Sequence, residues 1–201
     1  MPDKIILSTA YLPPVEYFAR IKDAGEVLIE SEENYHKQSY RNRCYIMTAG
    51  GIRFLTVPVY LGSLHKTRIR DIRIDYSKRW QQVHSGALRT AYNSSPFFLY
   101  YSDVIEKIIL KDHKFLLDLN MDLLLEVLKI LKISVKPVYT TEFMPVNSTA
   151  DDYRYSIDAK KKSGYVQQVY PQVFNSVHGF IPGLSIIDLV FNMGPEAVSY
   201  L

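Results

Sequence analysis

Apolar residues in this chain come in short blocks, separated by polar, proline-marked or glycine-marked breaks, and the blocks differ in period. Lys4–Ser8 is short and apolar and predicts a strand, which Tyr11, Leu12, Pro13 and Pro14 break. Tyr17, Phe18, Ile21 and Ala24 then recur at helical spacing, with Pro14 suited to the first turn and Gly25 to the stop. Glu26–Glu30 predicts a second strand. Strand, helix and strand within about 27 residues is close to the minimum for a parallel crossover unit.

The apolar runs 45–47 and 52–60 flank Ala49, Gly50 and Gly51, which predicts a hairpin, and Pro58 marks a strand end. A polar loop at 62–67 carries His65. The run 69–74 puts Ile72 and Ile74 on one face and Arg73 on the other, a strand pattern. Ser77 is placed to cap a helix whose stripe is Trp80, Val83, His84, Ala87, Leu88 and Ala91. Ser102 or Asp103 opens a longer helical region, interrupted near Asp112 and His113, and Leu116 to Leu131 continues it at 3–4 spacing. The stretch 135–141 predicts a strand. From 144 to 165 no period holds, so Asp151, Asp152, Tyr153, Arg154 and the lysines 160–162 are expected in solvated loop. The run 184–191 predicts a short buried helix, capped by Ser185 and stopped by Gly194 and Pro195. The fold class is therefore α/β, one domain over 1–201. A mostly parallel sheet has helices on both faces, an N-terminal βαβ unit and a helical C-terminal half.

Composition narrows the class. The 201 residues are 47% apolar and 22% charged, near globular averages, and a net charge of +3 is too weak to argue for nucleic acid. One cysteine, Cys44, allows no internal disulfide, which fits a reducing compartment; it reads as a nucleophile or as a small buried residue. No apolar run reaches about 18 residues and no signal-peptide pattern opens the chain, so a cytoplasmic protein with no membrane span is expected. No phosphate loop, dinucleotide fingerprint or nucleophile elbow occurs. The five histidines, His36, His65, His84, His113 and His178, have no metal-ligand spacing, so no metal is expected and no cofactor is implied.

Candidate chemistry collects in 37–43. Lys37, Arg41 and Arg43 can hold a phosphate or carboxylate, and Tyr40 and Asn42 can orient it. The same charges can instead pair with Glu30, Glu32 and Glu33 in a solvated turn. A second cluster, Arg68, Arg70, Arg73, Lys78 and Arg79, reads as a solvated face or a contributor to an anion site. His84, one turn after Trp80, is a candidate general acid or base, or a hydrogen-bonded core histidine. Tyr35, Tyr40 and Tyr45 around the arginines leave RNA as a weaker alternative partner.

These pieces, in this order, resemble the WbqC-like family of bacterial proteins. Tyr11, Leu12 and Pro13 match its opening signature. Tyr35, Lys37, Ser39, Tyr40, Asn42 and Arg43 match its basic central motif, and Leu55 to Val59 its proline-bearing strand. Trp80, His84, Ala91, Tyr92, Ser95 and Phe97 match the next helix and its exit; Leu184, Asp188, Phe191, Gly194 and Glu196 match the last block. The family's Gln-Pro pair is Ser8 and Thr9 here, its Trp is Pro14 and its Gly is Glu16, which shifts weight from the first loop to the central motif. The resemblance implies a transferase of cell-surface polysaccharide or O-antigen synthesis, acting on an anionic substrate such as a nucleotide-activated sugar. On that reading Lys37, Arg41 and Arg43 neutralise phosphates. Tyr11, Tyr40, Asn42 and Trp80 shape the substrate site, and His84 transfers the proton. The rival reading is a non-catalytic ligand-binding or scaffolding protein of the same pathway.

Overall fold

The computed structural model describes residues 3–60, 66–146, 151–161 and 163–201. Strand β1 (Lys4–Ser8), helix α1 (Val15–Lys22) and strand β2 (Glu26–Glu30) form the opening crossover unit, as the pattern predicts. The two strands run parallel, from Lys4 opposite Glu26 to Ser8 opposite Glu30. Their side chains alternate: Ile5, Leu7, Val27 and Ile29 enter the main core, while Ile6 and Leu28 pack with Met144 on the other face. Each such residue contributes about 1.5–3 kcal/mol on burial. Gly25 is needed for closeness rather than for a left-handed helix stop. A Cβ there would lie 2.9 Å from the Asp3 carbonyl, where the two strands begin to pair.

Two very short strands complete the sheet. β5 (Val138–Tyr139) joins β2 and β6 (Asp151–Asp152) joins β1, all parallel, giving the order β5-β2-β1-β6. The strand expected over 135–141 is thus two residues long. The stretch expected as loop holds a strand, and its Arg154 is buried rather than solvated. Pairing to Ile5 and Ile6 makes this strand, through backbone bonds that composition does not reveal.

Between β2 and the helices lies a separate antiparallel hairpin, β3 (Arg43–Thr48) and β4 (Gly51–Thr56). Gly51 turns it with φ +103°. Tyr45 faces Phe54 and Arg43 faces Thr56 across the ladder. The chain then continues extended, with Val57 N–H bonded to the Asn42 carbonyl at 2.8 Å. The strand expected over 69–74 is a short 3-10 turn, Ile69–Asp71, followed by single bridges at Arg73 and Ile74. The Ile69 amide is drawn to the Glu33 carbonyl at 2.8 Å, which curls the segment. His65 and Lys162 lie outside the described residues.

The helices are α2 (Trp80–Tyr92), α3 (Phe98–Leu110), α4 (Leu116–Ile130), a single turn α5 (Asn175–His178) and α6 (Ile186–Met193). Ser77 does not cap α2: its amide donates to Asp75 Oδ1 at 2.8 Å in a local turn, and α2 starts later without a side-chain cap. α3 starts before Ser102, because the Phe97 amide is fixed on the Phe191 carbonyl at 3.0 Å. Ser185 caps α6 as its position predicts. Gly194 ends α6 with φ +54°, and a Cβ there would lie 2.4 Å from the Phe97 ring. No helix among the described residues is long and apolar enough to cross a membrane.

Candidate functional site

The strand order decides where a ligand can sit. From β1 the chain goes to β2 on one side, while β6 lies on the other, so the order turns at the carboxyl end of β1. In open parallel sheets ligands bind in the crevice at that point. A cleft of about 460 Å³ opens beside it, between the start of α1, the β3–β4 hairpin and the segment after β6. Tyr40, Tyr45 and Tyr165 supply aromatic wall, and Glu16, Asp158 and Lys161 supply charge. A small hollow lined by Ser8, Thr9 and Arg41 shares Tyr40 and Asp158 with it.

The arginines of this edge are held by the protein itself. Arg41 is buried; its Nε and Nη2 donate to the two Glu33 oxygens at 2.8 and 2.6 Å, and Nη2 also donates to Ser8 Oγ at 2.7 Å. Arg154 bridges Glu30 at 2.8 Å and Asp152 at 2.6 Å, with the Arg154 and Glu30 side chains 0% exposed. Glu32 takes Arg68 and Arg70. Three acids at the end of β2 therefore each hold at least one arginine, in a buried network rather than a solvated turn. Its remaining oxygens are used too: Glu30 accepts from Thr140 Oγ1 at 2.7 Å and from the Glu32 amide at 2.8 Å. Such a network is stable only when every member is satisfied.

The other residues of 37–43 divide by role. Lys37 is exposed. Asn42 is buried and its Nδ2 donates to the Val57 carbonyl at 2.9 Å, extending the hairpin. Arg43 lies over the Phe54 ring at 4.4 Å and donates to Thr56 Oγ1 at 3.2 Å. Tyr40 meets Tyr45 edge-on at 5.9 Å. Its hydroxyl pKa is raised, chiefly by burial.

Tyr11 ties this segment to α2. Its amide donates to the Tyr40 carbonyl at 2.8 Å, and its hydroxyl lies 2.8 Å from His84 Nδ1. The Thr56 backbone lies close enough to the same ring to raise its pKa slightly against the effect of burial. Burial lowers its pKa to about 4, so the ring is neutral at pH 7. Trp80 stands edge-on to His84 at 5.1 Å, and its buried indole N–H has no acceptor among the described residues. Trp80 and His84 line a second cleft of about 360 Å³, together with residues 53–56 of β4.

Tyr40 and Arg41 therefore meet at the sheet edge, Trp80 and His84 meet at the second cleft, and Tyr11 joins the two from within the core. Asp158, Lys161 and Tyr165 came from a stretch without sequence period, and nothing in their spacing marks them. Glu16 was marked only as a departure from a glycine. Its carboxylate occupies the first turn of α1, where it accepts from Arg20 at 3.1 Å and from the Ser163 hydroxyl. Cys44 is fully buried and burial raises its thiol pKa, so it is no ready nucleophile. Among the described residues no three His, Cys, Asp or Glu side chains gather as a metal site.

The model of the WbqC-like protein family matches residues 9–168 and 160–200. The chain belongs to the WbqC-like protein family. It is also similar to the uncharacterized protein Rv1507c of Mycobacterium tuberculosis, at 28% identity over 222 residues, covering 98% of this chain and 96% of that protein. No solved structure matches. The stretches that mark this chain as WbqC-like include every residue lining either of these two clefts.

Proposed function

We propose that this WbqC-like protein is a transferase of bacterial surface-polysaccharide synthesis, acting in the cytoplasm on a nucleotide-activated sugar bound at the sheet edge. The observation that carries the reading is the cleft at the carboxyl end of β1, where the strand order turns. Its tyrosines offer apolar faces to a sugar ring, and Glu16 and Asp158 offer acceptors to its hydroxyls. Tyr40 forms the wall. Arg41 and Asn42 hold the segment from behind, Lys161 is the cation that lines the cleft for phosphate, and Lys37 and Arg43 flank Tyr40 in sequence as further candidates. In transfer, an acceptor oxygen bonds the anomeric carbon as the bond to phosphate breaks. The nucleoside diphosphate leaves with that electron pair, and the acceptor proton passes to Asp158. His84 acts through Tyr11, which carries the backbone of Tyr40, as a positioning residue. The two clefts share the hairpin, which supports treating 1–201 as one working unit.

Calorimetric titration with a panel of nucleotide sugars tests this. At least one should bind, and Tyr40→Ala should weaken it at least about tenfold, the loss of one well-packed aromatic contact. No binding by any member overturns the reading. The second reading, a binder without catalysis, is favoured by the locked neutral His84. Asp158→Asn separates the two: an enzyme keeps donor binding and loses turnover, whereas a binder shows no turnover in either form.

A further inference from the structure

The second cleft differs in kind from the first. Arg53, Lys78 and Arg79 line it together with Phe54, Trp80 and Val83, and no carboxylate among the described residues does. None of the three cations makes an ion pair among the described residues; Asp75, the acid that feels Lys78, has its own hydrogen bond to the Ser77 amide. The cleft also receives the N-terminus of α2, which has no acidic residue in its first turn and no side-chain cap. Positive helix ends and unpaired cations converging on one hollow attract anions. Trp80 belongs to the same wall, is buried, and its indole N–H has no acceptor among the described residues. Buried donors are nearly always partnered in folded proteins, and this one belongs to a residue on the wall of the cleft. Beside the cations, Phe54 and Val83 are each 55% exposed, an apolar flank that a phosphate alone would leave uncovered.

We infer that this cleft binds a diphosphate carried on a planar or apolar group, with Arg53, Lys78 and Arg79 on the phosphates and Phe54 and Val83 against the organic part. The inference stands on this cleft's own residues and holds whether or not the sheet-edge cleft takes a sugar.

The chain's single tryptophan is the reporter, since Trp80 lines the cleft. Inorganic pyrophosphate and uridine diphosphate are titrated against tryptophan emission at low salt. Pyrophosphate holds no sugar, so its result is independent of the sheet-edge reading. Both should change the emission saturably, and uridine diphosphate should bind at least about threefold more tightly through its planar group. Lys78→Ala combined with Arg79→Ala should weaken both at least about tenfold, through lost charge-assisted contacts. Both residues are exposed, and an unchanged melting temperature verifies the fold. No saturable change with either probe up to about 10 mM, or equal affinity in the double variant, overturns the site. Equal affinity for the two probes overturns the organic flank.

Discussion

The two clefts face each other across the Tyr45–Phe54 ring contact, yet they treat their cations in opposite ways. At the sheet edge Arg41 and Arg154 are buried against Glu33, Glu30 and Asp152, so their charge is consumed inside the fold. Beside α2, Arg53, Lys78 and Arg79 stand exposed with no ion pair among the described residues. The basic segment 37–43 therefore does not mark free charge, whereas Lys78 and Arg79 of the second cluster have no ion pair among the described residues. What decides is whether a buried acid lies within reach.

The comparison is most easily broken by stability. Arg154→Met leaves Glu30 buried without its partner and should cost about 3–5 kcal/mol in urea unfolding, with Arg41→Met costing a similar amount. Arg79→Ala should stay within about 0.5 kcal/mol. Equal small losses in all three would mean that the sheet-edge pairs are no more internal than the exposed cations.

A smaller effect comes from pH. His84 has a folded pKa of about 4, below its usual 6.5 because of burial. Its stabilising contribution is complete above pH 6.5. It is lost as pH falls toward 4, because the unfolded chain then binds a proton that the folded ring refuses; the loss is about 3 kcal/mol. Asp188, raised by burial from 3.8 to about 6, works in the opposite direction. Its folded form keeps a proton that the unfolded chain releases, so acidification from pH 6 to 4 stabilises the fold. The free energy of unfolding should therefore decline less steeply from pH 7 to 4 in His84→Asn than in the parent, and more steeply in Asp188→Asn. Parallel slopes would contradict both assignments.

Much of the fold was legible before any coordinates. Tyr17, Phe18 and Ile21 after Pro14, the Gly50–Gly51 turn, the leucines of α4 and Ser185 before α6 all encode their geometry locally. β6 was not legible, because Asp151 and Asp152 have no strand propensity and are ordered by pairing to β1 and by Arg154. In the candidate site, the sequence marks Tyr40 together with Asn42 as an orienting residue, and Tyr40 lines the cleft. The burial of Arg41 was not legible, since Glu33 lies eight residues away and would read the same in a solvated turn. Asp158 and Lys161 reach the cleft only because the segment after β6 returns over the end of β1, a long-range fact that no local pattern carries.

The most direct test of the central claim is a crystal structure with the tightest-binding nucleotide sugar of the panel. The account predicts the sugar ring against the wall formed by Tyr40 and Tyr45, within hydrogen-bond distance of Asp158, at the carboxyl end of β1. A sugar bound away from those residues, with the sheet-edge cleft unchanged, would contradict it.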